Sequence, residues 1–590
     1  MHFIFFYIFT FMWALVSLCL LPKYQEKISV LSNIVLSLIT QLCVGVFGAK
    51  VLSILHIVIN LKSMGIIWLG FGGVITIMIL NKKKIQSMYI DKCVVFGCII
   101  LTGFIGLIFF QIFTKDFNWI YRTTDPSSHL IMAQNVVRTG KIEGMYFTAL
   151  YNGLMLEIFQ PFIDEINLYK IYIVSDTLFN YLNLLMCYIW IIVMCKSKKM
   201  KWICPIFAMG YFIGWPLSSY AYYGFTYFGV GITIYAYALY LLFAEVKYKQ
   251  IELKWLYICI ALGIFSLTVC YMLFTPVLVA TILIYLIIKK RRYLTRSIII
   301  KVILISCVFL SAIFAIVFWG YFGGKISAIF DALRLDGGIH KCLLGDFIFL
   351  APFVTYTLVK EYRKKNLIDI AFYVLLLVIM IAFAMTCMNV MGGYYYYKLY
   401  YLLWLLCWLL CIRAVESIYE DNKWILVSML LPVLMAFTIL WSGAEEHMNS
   451  TLEAKDVEGL FPIYNSNRQL IFNPDEYIIN DRNEVKNLAI YIRNSFDSDE
   501  IVPLIYSHRG YHLGRVWYQA LMGYDSYDYD NDNLSEILEQ IETQYRYFAI
   551  SSQVVFENEE LMKKYKKIYD ENDYSIYQIY EDADETEDIR

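Results

Sequence analysis

An aspartate and a histidine stand four residues apart at the start of a predicted helix. Asp125 precedes Pro126, a pair typical of a helix N-terminus, and His129 follows one turn later on the same face. A carboxylate beside an imidazole can act as a general base that takes the proton from an attacking hydroxyl group. Alternatively, Asp125 only caps the helix and His129 is an interfacial polar residue. An apolar stripe predicts that the helix lies along a membrane surface: Leu130, Ala133 and Val137.

A run of tyrosines that ends in a lysine is the second candidate. Four consecutive tyrosines, residues 394–397, precede Lys398. A lysine at the outer leaflet can pair with a lipid phosphate, and tyrosine rings can hold a sugar or a prenyl chain. An aromatic belt with a snorkelling lysine is the alternative. Four tyrosines in succession exceed what a belt needs, so we predict substrate binding by Tyr394, Tyr395 and Lys398.

A third cluster lies in the segment 323–346, which carries Arg334, His340 and Lys341. Cations that face the outer leaflet can bind phosphate or pyrophosphate, and a solvated loop is an equally good interpretation. We take Arg334 and His340 as binding candidates. Arg122, three residues before Asp125, is a further one.

Other chemistries find little support in the sequence. Ser507 and His508 are adjacent, which is poor geometry for a catalytic triad, and no GxSxG, P-loop, GxGxxG or HExxH motif is present. The 14 cysteines fall in apolar runs without a CxxC spacing. We therefore expect no cofactor and no metal site.

The composition indicates what must position these residues. Apolar residues make up 59% of the 590-residue chain and charged residues only 17%, and the mean hydropathy is +0.57. Soluble domains carry about 25% charged residues, so lipid is the main solvent of this chain. The net charge of −1 and the lack of a basic patch argue against nucleic-acid binding.

Apolar runs long enough to span a bilayer recur along the first three quarters of the chain. We predict a polytopic α-helical membrane protein with about 14 transmembrane helices. They lie at 2–22, 29–48, 64–80, 93–113, 168–195, 202–218, 225–244, 255–270, 273–288, 299–319, 344–359, 368–387, 397–413 and 424–442. The first is expected to be a membrane helix and not a signal peptide, and Thr275-Pro276 is expected to break the run 255–288.

Residues 443–590 have a different character, with more charge and no spanning run. Helical periodicity at 481–496 and 534–545, with strand patterns at 501–506, 547–551 and 574–580, predicts a soluble α/β domain. We divide the chain into N-terminal helices (1–92), a transmembrane core (93–442) and this C-terminal domain (443–590).

Positive charge predicts the orientation. Alternate connections, starting at 23–27 and ending at 413–423, hold about 25 of the lysines and arginines, and the other set holds fewer than half as many. The rich set is cytoplasmic by this rule. The loops 114–167, 320–343 and 388–396 and the C-terminal domain are then extracytoplasmic.

This organisation resembles the GT-C glycosyltransferases, membrane enzymes that transfer a sugar from a polyprenyl-phosphate donor. The resemblance rests on the spanning helices, an Asp125 that opens a helix in the first large outside loop, and a soluble C-terminal domain. It implies that Asp125 is the catalytic base, assisted by His129, and that Lys398 and Arg334 bind the donor phosphate. Paired tyrosines and a lysine like those at 394–398 occur in arabinofuranosyl members. Two departures stand out: more than one helix precedes the loop, and no second acidic residue accompanies Asp125, which favours a metal-independent enzyme.

The expected function is therefore an inverting glycosyl transfer from a polyprenyl-phosphate-linked sugar to a glycan or lipid acceptor of a bacterial cell envelope. A polysaccharide polymerase or ligase is one alternative, and it would carry a large outside loop with essential arginines. A transporter of a lipid-linked or small-molecule substrate is another, and it would need polar residues within the membrane. Few are visible, Asp176 and His56 among them.

Overall fold

The structure is a computed structural model. It describes residues 1–21, 29–82, 89–113, 125–142, 147–248, 253–290, 325–334, 345–361, 366–421, 426–442, 462–472, 480–497, 500–507, 513–523, 526–529, 534–571 and 574–579.

Membrane-spanning helices dominate the chain up to residue 442. Within the described ranges, nine segments are long and apolar enough to cross a bilayer, and their mean hydropathy lies between 1.6 and 2.8: His2–Leu20, Val30–Ile54, Leu61–Asn81, Lys92–Phe113, Glu165–Met194, Thr226–Ala244, Trp255–Ile288, Leu367–Cys387 and Gly393–Tyr419. The chain is thus a multi-pass membrane protein.

The individual helices of this part are listed here with the labels used below: α1 His2–Leu20, α2 Val30–Ile54, α3 Leu61–Lys82, α4 Lys92–Phe113, α5 Asp125–Thr139, α6 Thr148–Phe159, α7 Leu168–Met194, α8 Lys198–Phe212, α9 Thr226–Tyr248, α10 Leu253–Tyr271, α11 Thr275–Lys290, α12 Ile326–Arg334, α13 Ala351–Glu361, α14 Leu367–Cys387, α15 Gly393–Asp421 and α16 Leu426–Ser442.

The break expected at Thr275-Pro276 is present, because α10 ends at Tyr271 and α11 begins at Thr275 after a 3-10 turn, Met272–Phe274. Four expected spans hold helices shorter than the roughly 20 residues of a full span. The runs 202–218, 273–288, 344–359 and 424–442 contain helices of 15, 16, 11 and 17 residues. The run 299–319 lies outside the described residues.

Helix α5 is covered by protein along its apolar stripe, which corrects the expectation that it lies along the membrane surface. Of the predicted stripe, Leu130 and Ala133 are fully buried and Val137 is half-buried, and the neighbouring Val136 is 3% exposed. Close packing against α6 explains this burial. A Cβ atom at Gly153 of α6 would lie 2.9 Å from the Cβ of Val136 and 3.0 Å from the carbonyl oxygen of Ala133. Glycine therefore lets the two helices approach closely.

The C-terminal residues form a five-stranded mixed sheet with helices around it. The strands are β1 Leu504–Ser507, β2 Ser526–Tyr529, β3 Tyr547–Ser551, β4 Lys566–Glu571 and β5 Tyr574–Gln578, in the order β2-β1-β3-β5-β4. Strand β1 is parallel to β2 and β3, and β5 is antiparallel to β3 and β4. The helices are α17 Pro462–Phe472, α18 Asn480–Ser495, α19 Leu513–Met522, α20 Leu534–Glu542, α21 Ser552–Glu557 and α22 Glu559–Met562.

Candidate active site

The first turn of α5 carries both residues of the predicted acid–base pair. Asp125 begins the helix and is partly exposed, whereas His129, one turn later, is 8% exposed. The imidazole packs edge-on against the ring of Tyr227, with 4.8 Å between ring centroids. Asp125 also meets Tyr227, whose hydroxyl donates a hydrogen bond of 3.4 Å to Oδ2 of the carboxylate.

Tyr227 joins the two sequence regions predicted to form the site. The Nζ atom of Lys398 donates to the same Tyr227 hydroxyl at 3.3 Å. One phenol thus links the carboxylate of Asp125 to the ammonium of Lys398, although the two residues are far apart in the chain. Both hydrogen bonds are long, near the upper limit of hydrogen-bond distances.

Lys398 lies inside an aromatic enclosure and not at the aqueous boundary. It is 2% exposed, so the snorkelling alternative does not describe it. Its Nζ atom is 3.8 Å from the ring centroid of Tyr394 and 4.5 Å from that of Phe225. Three more rings lie within 6 Å: Tyr227, Phe228 and Tyr271. These ring faces stabilise the ammonium, as cation–π contacts do where water is excluded.

A second carboxylate anchors the start of α9, which carries Tyr227. Asp176 of α7 is fully buried and accepts a hydrogen bond of 2.5 Å from the hydroxyl of Thr226. The side-chain amide of Asn180 also donates to this carboxylate, at 3.2 Å. Gly224, at φ +64°, makes the left-handed turn that leads into α9. The position of Tyr227 is therefore fixed by buried polar contacts one residue away.

The electrostatic surroundings keep His129 neutral at neutral pH. Burial lowers the pKa of the imidazole below its ordinary value of 6.5, and the ammonium of Lys398 lowers it further. The carboxylate of Asp125 and a hydrogen bond to the backbone of Gly224 act in the opposite direction, with a smaller effect than burial. A neutral imidazole can exchange a proton with a neighbour, whereas an imidazolium can only donate one.

The structure places the remaining predicted binding residues in different surroundings. Tyr394 covers Lys398, and Tyr395 packs against Tyr394 with ring centroids 5.3 Å apart. Arg334 is exposed at the end of α12, and the carbonyl of Leu333 beside it accepts a hydrogen bond of 2.8 Å from the backbone N–H of Gly392. Arg122 and His340 lie outside the described residues, as does His508.

The sequence pattern gave little sign of Tyr227, Phe228 or Tyr271, which stand in apolar runs and read as ordinary membrane-helix residues. The one sequence feature that could have indicated Tyr227 is its place just after Gly224, at the end of an apolar run. Across the described ranges, no group of three or more His, Cys, Asp or Glu side chains is arranged to hold a metal ion.

Comparisons with known proteins show similarity in fold but not in sequence. No protein-family model matches the chain, and no curated protein matches it. Its fold matches the crystal structure of ArnT from Cupriavidus metallidurans in the apo state, with a TM-score of 0.51 and 9% identity. The match covers 81% of this chain and 97% of ArnT. ArnT bound to undecaprenyl phosphate gives a TM-score of 0.49 over the same shares, also at 9% identity.

At this identity the likeness concerns the fold alone. The resemblance inferred from the sequence is confirmed at the level of the fold only. The chain has the fold of ArnT over most of its length.

Proposed function

We propose that this protein transfers a sugar from a polyprenyl-phosphate donor to a hydroxyl group of a cell-envelope glycan or lipid, at the outer face of the membrane. One observation carries the proposal: the carboxylate of Asp125 is joined through the Tyr227 hydroxyl to the buried ammonium of Lys398. The GT-C fold supports the class of reaction. Undecaprenyl phosphate, which ArnT binds, is an example of the lipid carrier proposed.

The chemistry assigned to the site is a single displacement. The acceptor oxygen bonds to the anomeric carbon while the bond from that carbon to the phosphate oxygen breaks. Asp125 takes the hydroxyl proton, and polyprenyl phosphate leaves with the bonding electron pair. Attack opposite the leaving group inverts the anomeric configuration. No metal ion is needed, because the proton goes to a carboxylate and the leaving phosphate is already a stable anion.

The neighbouring side chains orient the carboxylate of Asp125 for its proposed role as the base. A hydrogen bond from Tyr227 fixes the direction of the carboxylate, and the imidazole of His129 packs against the ring of the same Tyr227. Lys398 supplies a positive charge that reaches this carboxylate through the Tyr227 hydroxyl. We assign it, with Arg334, to the donor phosphate.

Access to Lys398 requires a local movement in this scheme. The Tyr394 ring stands 3.8 Å from the ammonium, so a donor phosphate reaches it only when that ring turns aside. Tyr394 and Tyr395 are partly exposed at the start of α15, which leaves them room to move and to stack on the sugar or the prenyl chain. Arg122 and His340 stay candidates for the same anionic ligand.

The test is an Asp125→Asn variant, assayed for sugar transfer from a polyprenyl-phosphate-linked donor by purified protein. Asparagine begins a helix about as well as aspartate, so the melting temperature should be preserved. Loss of the general base should lower turnover by roughly 10²–10⁴-fold.

Asp164→Asn, at an exposed carboxylate before α7, is the matched control and should keep full activity. Wild-type turnover in Asp125→Asn would refute the assignment of the base. Substrate movement without bond formation by the wild-type protein would indicate a transporter, and extension of a glycan by preformed repeat units would indicate a polymerase.

A further inference from the structure

The C-terminal domain contacts the helix that carries Asp125 and His129, but from its opposite face. Gln134 follows Asp125 by nine residues, which places it about 180° around a helix with 100° per residue. Its side-chain amide donates a hydrogen bond of 2.8 Å to the carbonyl of Ala520 in α19. Helix α5 therefore has the catalytic face on one side and the C-terminal domain on the other.

Two further contacts fix α19 against this part of the protein. Helix α19 ends at Gly523, which has φ +73° and whose N–H returns to the carbonyl of Gln519. A Cβ atom at Gly523 would lie 2.7 Å from the guanidinium of Arg138, so the helix end fits closely over the last turn of α5. Arg493 of α18 pairs with Glu165 at 2.8 Å and also donates to the carbonyl of Leu521 at 3.4 Å.

The domain is also attached at a second place. The side-chain amide of Asn467 in α17, which is fully buried, donates to the carbonyls of Ile213 and Gly214 at 2.6 and 2.7 Å. The C-terminal region therefore contacts the membrane part at two places, through α17 at residues 213–214 and through α19 at α5, and α19 is itself tied to Glu165 through Arg493. An element held in this way can resist movement of α5 instead of following it.

We infer that the C-terminal domain is a positioning part of the active site: α19, through Gln134, holds α5 from behind so that Asp125 and His129 stay against Tyr227. On the other flank, α6 limits the movement of α5 through the close contact at Gly153. The Tyr227 hydroxyl meets Asp125 at 3.4 Å, near the limit of a hydrogen bond, so a small displacement of α5 breaks that contact. This inference rests on the proposed transfer reaction and adds a role for the C-terminal domain.

The experiment compares Gln134→Met with Asn135→Met in the full-length protein. Methionine keeps the length of glutamine but cannot donate to Ala520. Asn135 is also half-buried on α5, and its side chain makes no hydrogen bond to any residue that the structure describes, which makes it the matched control. Hydrogen–deuterium exchange of the α5 amides from His129 onward is measured together with kcat and the KM for the donor.

We expect Gln134→Met to speed exchange in α5 by about fivefold, the effect of losing one hydrogen bond, and to lower kcat at unchanged KM. Gln134→Lys restores a donor and should recover part of both. Unchanged exchange in Gln134→Met, or faster exchange with unchanged kcat, would overturn the inference, because the contact would then be packing only. A wild-type protein without transferase activity would instead contradict the proposed function, and the exchange comparison would still decide whether the domain holds α5.

Discussion

Tyr227 is the residue on which the geometry of the candidate site depends. Its hydroxyl is a donor to Asp125 and an acceptor from Lys398, so it couples two opposite charges that do not touch. Its ring packs against His129 and lies near the Tyr271 ring. The hydroxyl and the ring therefore have separable tasks, one electrostatic and one of packing.

Tyr227→Phe should separate these tasks. The ring contacts remain, while the carboxylate loses a donor and the ammonium loses an acceptor. Hydrogen bonds to charged groups are worth about 1.5–3 kcal/mol, so turnover should fall roughly 10- to 100-fold with little change in melting temperature. Tyr257→Phe, at a tyrosine 57% exposed on α10, should behave like the wild type. Equal turnover of the two variants would show that the phenol does not serve the reaction.

The lowered pKa of His129 makes a prediction about stability. Because its pKa in the folded protein lies below the ordinary value of 6.5, the unfolded chain binds more protons between these two values. The contribution of His129 to the free energy of unfolding is then fully present above pH 6.5, and it decreases as the pH falls below 6.5.

A series of melting temperatures in detergent from pH 8 to pH 5 tests this, since His129→Gln should flatten the acid side of the curve. His2→Gln, at an exposed histidine, should leave the curve unchanged. If His129→Gln keeps the wild-type slope, the acid loss comes from other groups.

The position of helix α5 depends on its close contact with α6 at Gly153. The substitution Gly153→Ala tests this dependence. The added methyl group would meet the backbone oxygen of Ala133 at 3.0 Å as well as Val136, so a side-chain rotation alone cannot relieve the contact. We expect a loss of about 1–3 kcal/mol of stability and reduced turnover as α5 shifts.

Gly103→Ala in α4 is the matched control for this substitution. The position has open space around it, so alanine should be neutral or slightly stabilising there, because it favours the helix. A Gly153→Ala variant as stable and active as Gly103→Ala would show that the α5–α6 contact tolerates an added carbon.

These elements also show what the sequence could predict. Length and hydropathy located the long helices, and Asp125-Pro126 located the start of α5, because these signals are local. The predicted strands at 547–551 and 574–580 match β3 and β5. Strands β2 and β4 were missed. Strand β4, with the sequence KKIYDE at the edge of the sheet, buries little beyond Tyr569, so it has no clear apolar alternation.

The burial of Lys398 could not be predicted for a different reason. A lysine at the end of a membrane helix normally extends to water, and here five rings from α9, the turn before it, α10 and α15 enclose it. Such an enclosure is built from residues distant in sequence. The prediction that the apolar stripe of α5 faces lipid is wrong for a similar reason. Apolar side chains are favoured both against lipid and against other helices, so the sequence does not distinguish the two surroundings.

The distribution of positive charge concerns the whole molecule. The basic connections alternate with connections poor in lysine and arginine from residue 23 to residue 423, and this alternation predicts which side each loop faces. It predicts that the first turn of α5, the start of α15 and the C-terminal sheet lie together on the extracytoplasmic side. A lipid-linked donor and an envelope acceptor would both be available there.

Accessibility in intact cells tests that orientation. Ser535→Cys, at an exposed position of α20, should react with a membrane-impermeant thiol reagent before lysis, because the domain is predicted to lie outside. The parent protein should lack Cys387, the one exposed cysteine among the described residues. Lys199→Cys, exposed at the start of α8 in a predicted cytoplasmic connection, should react only after lysis. The reverse pattern would invert the topology and move the candidate site to the cytoplasmic face, where an envelope acceptor is absent.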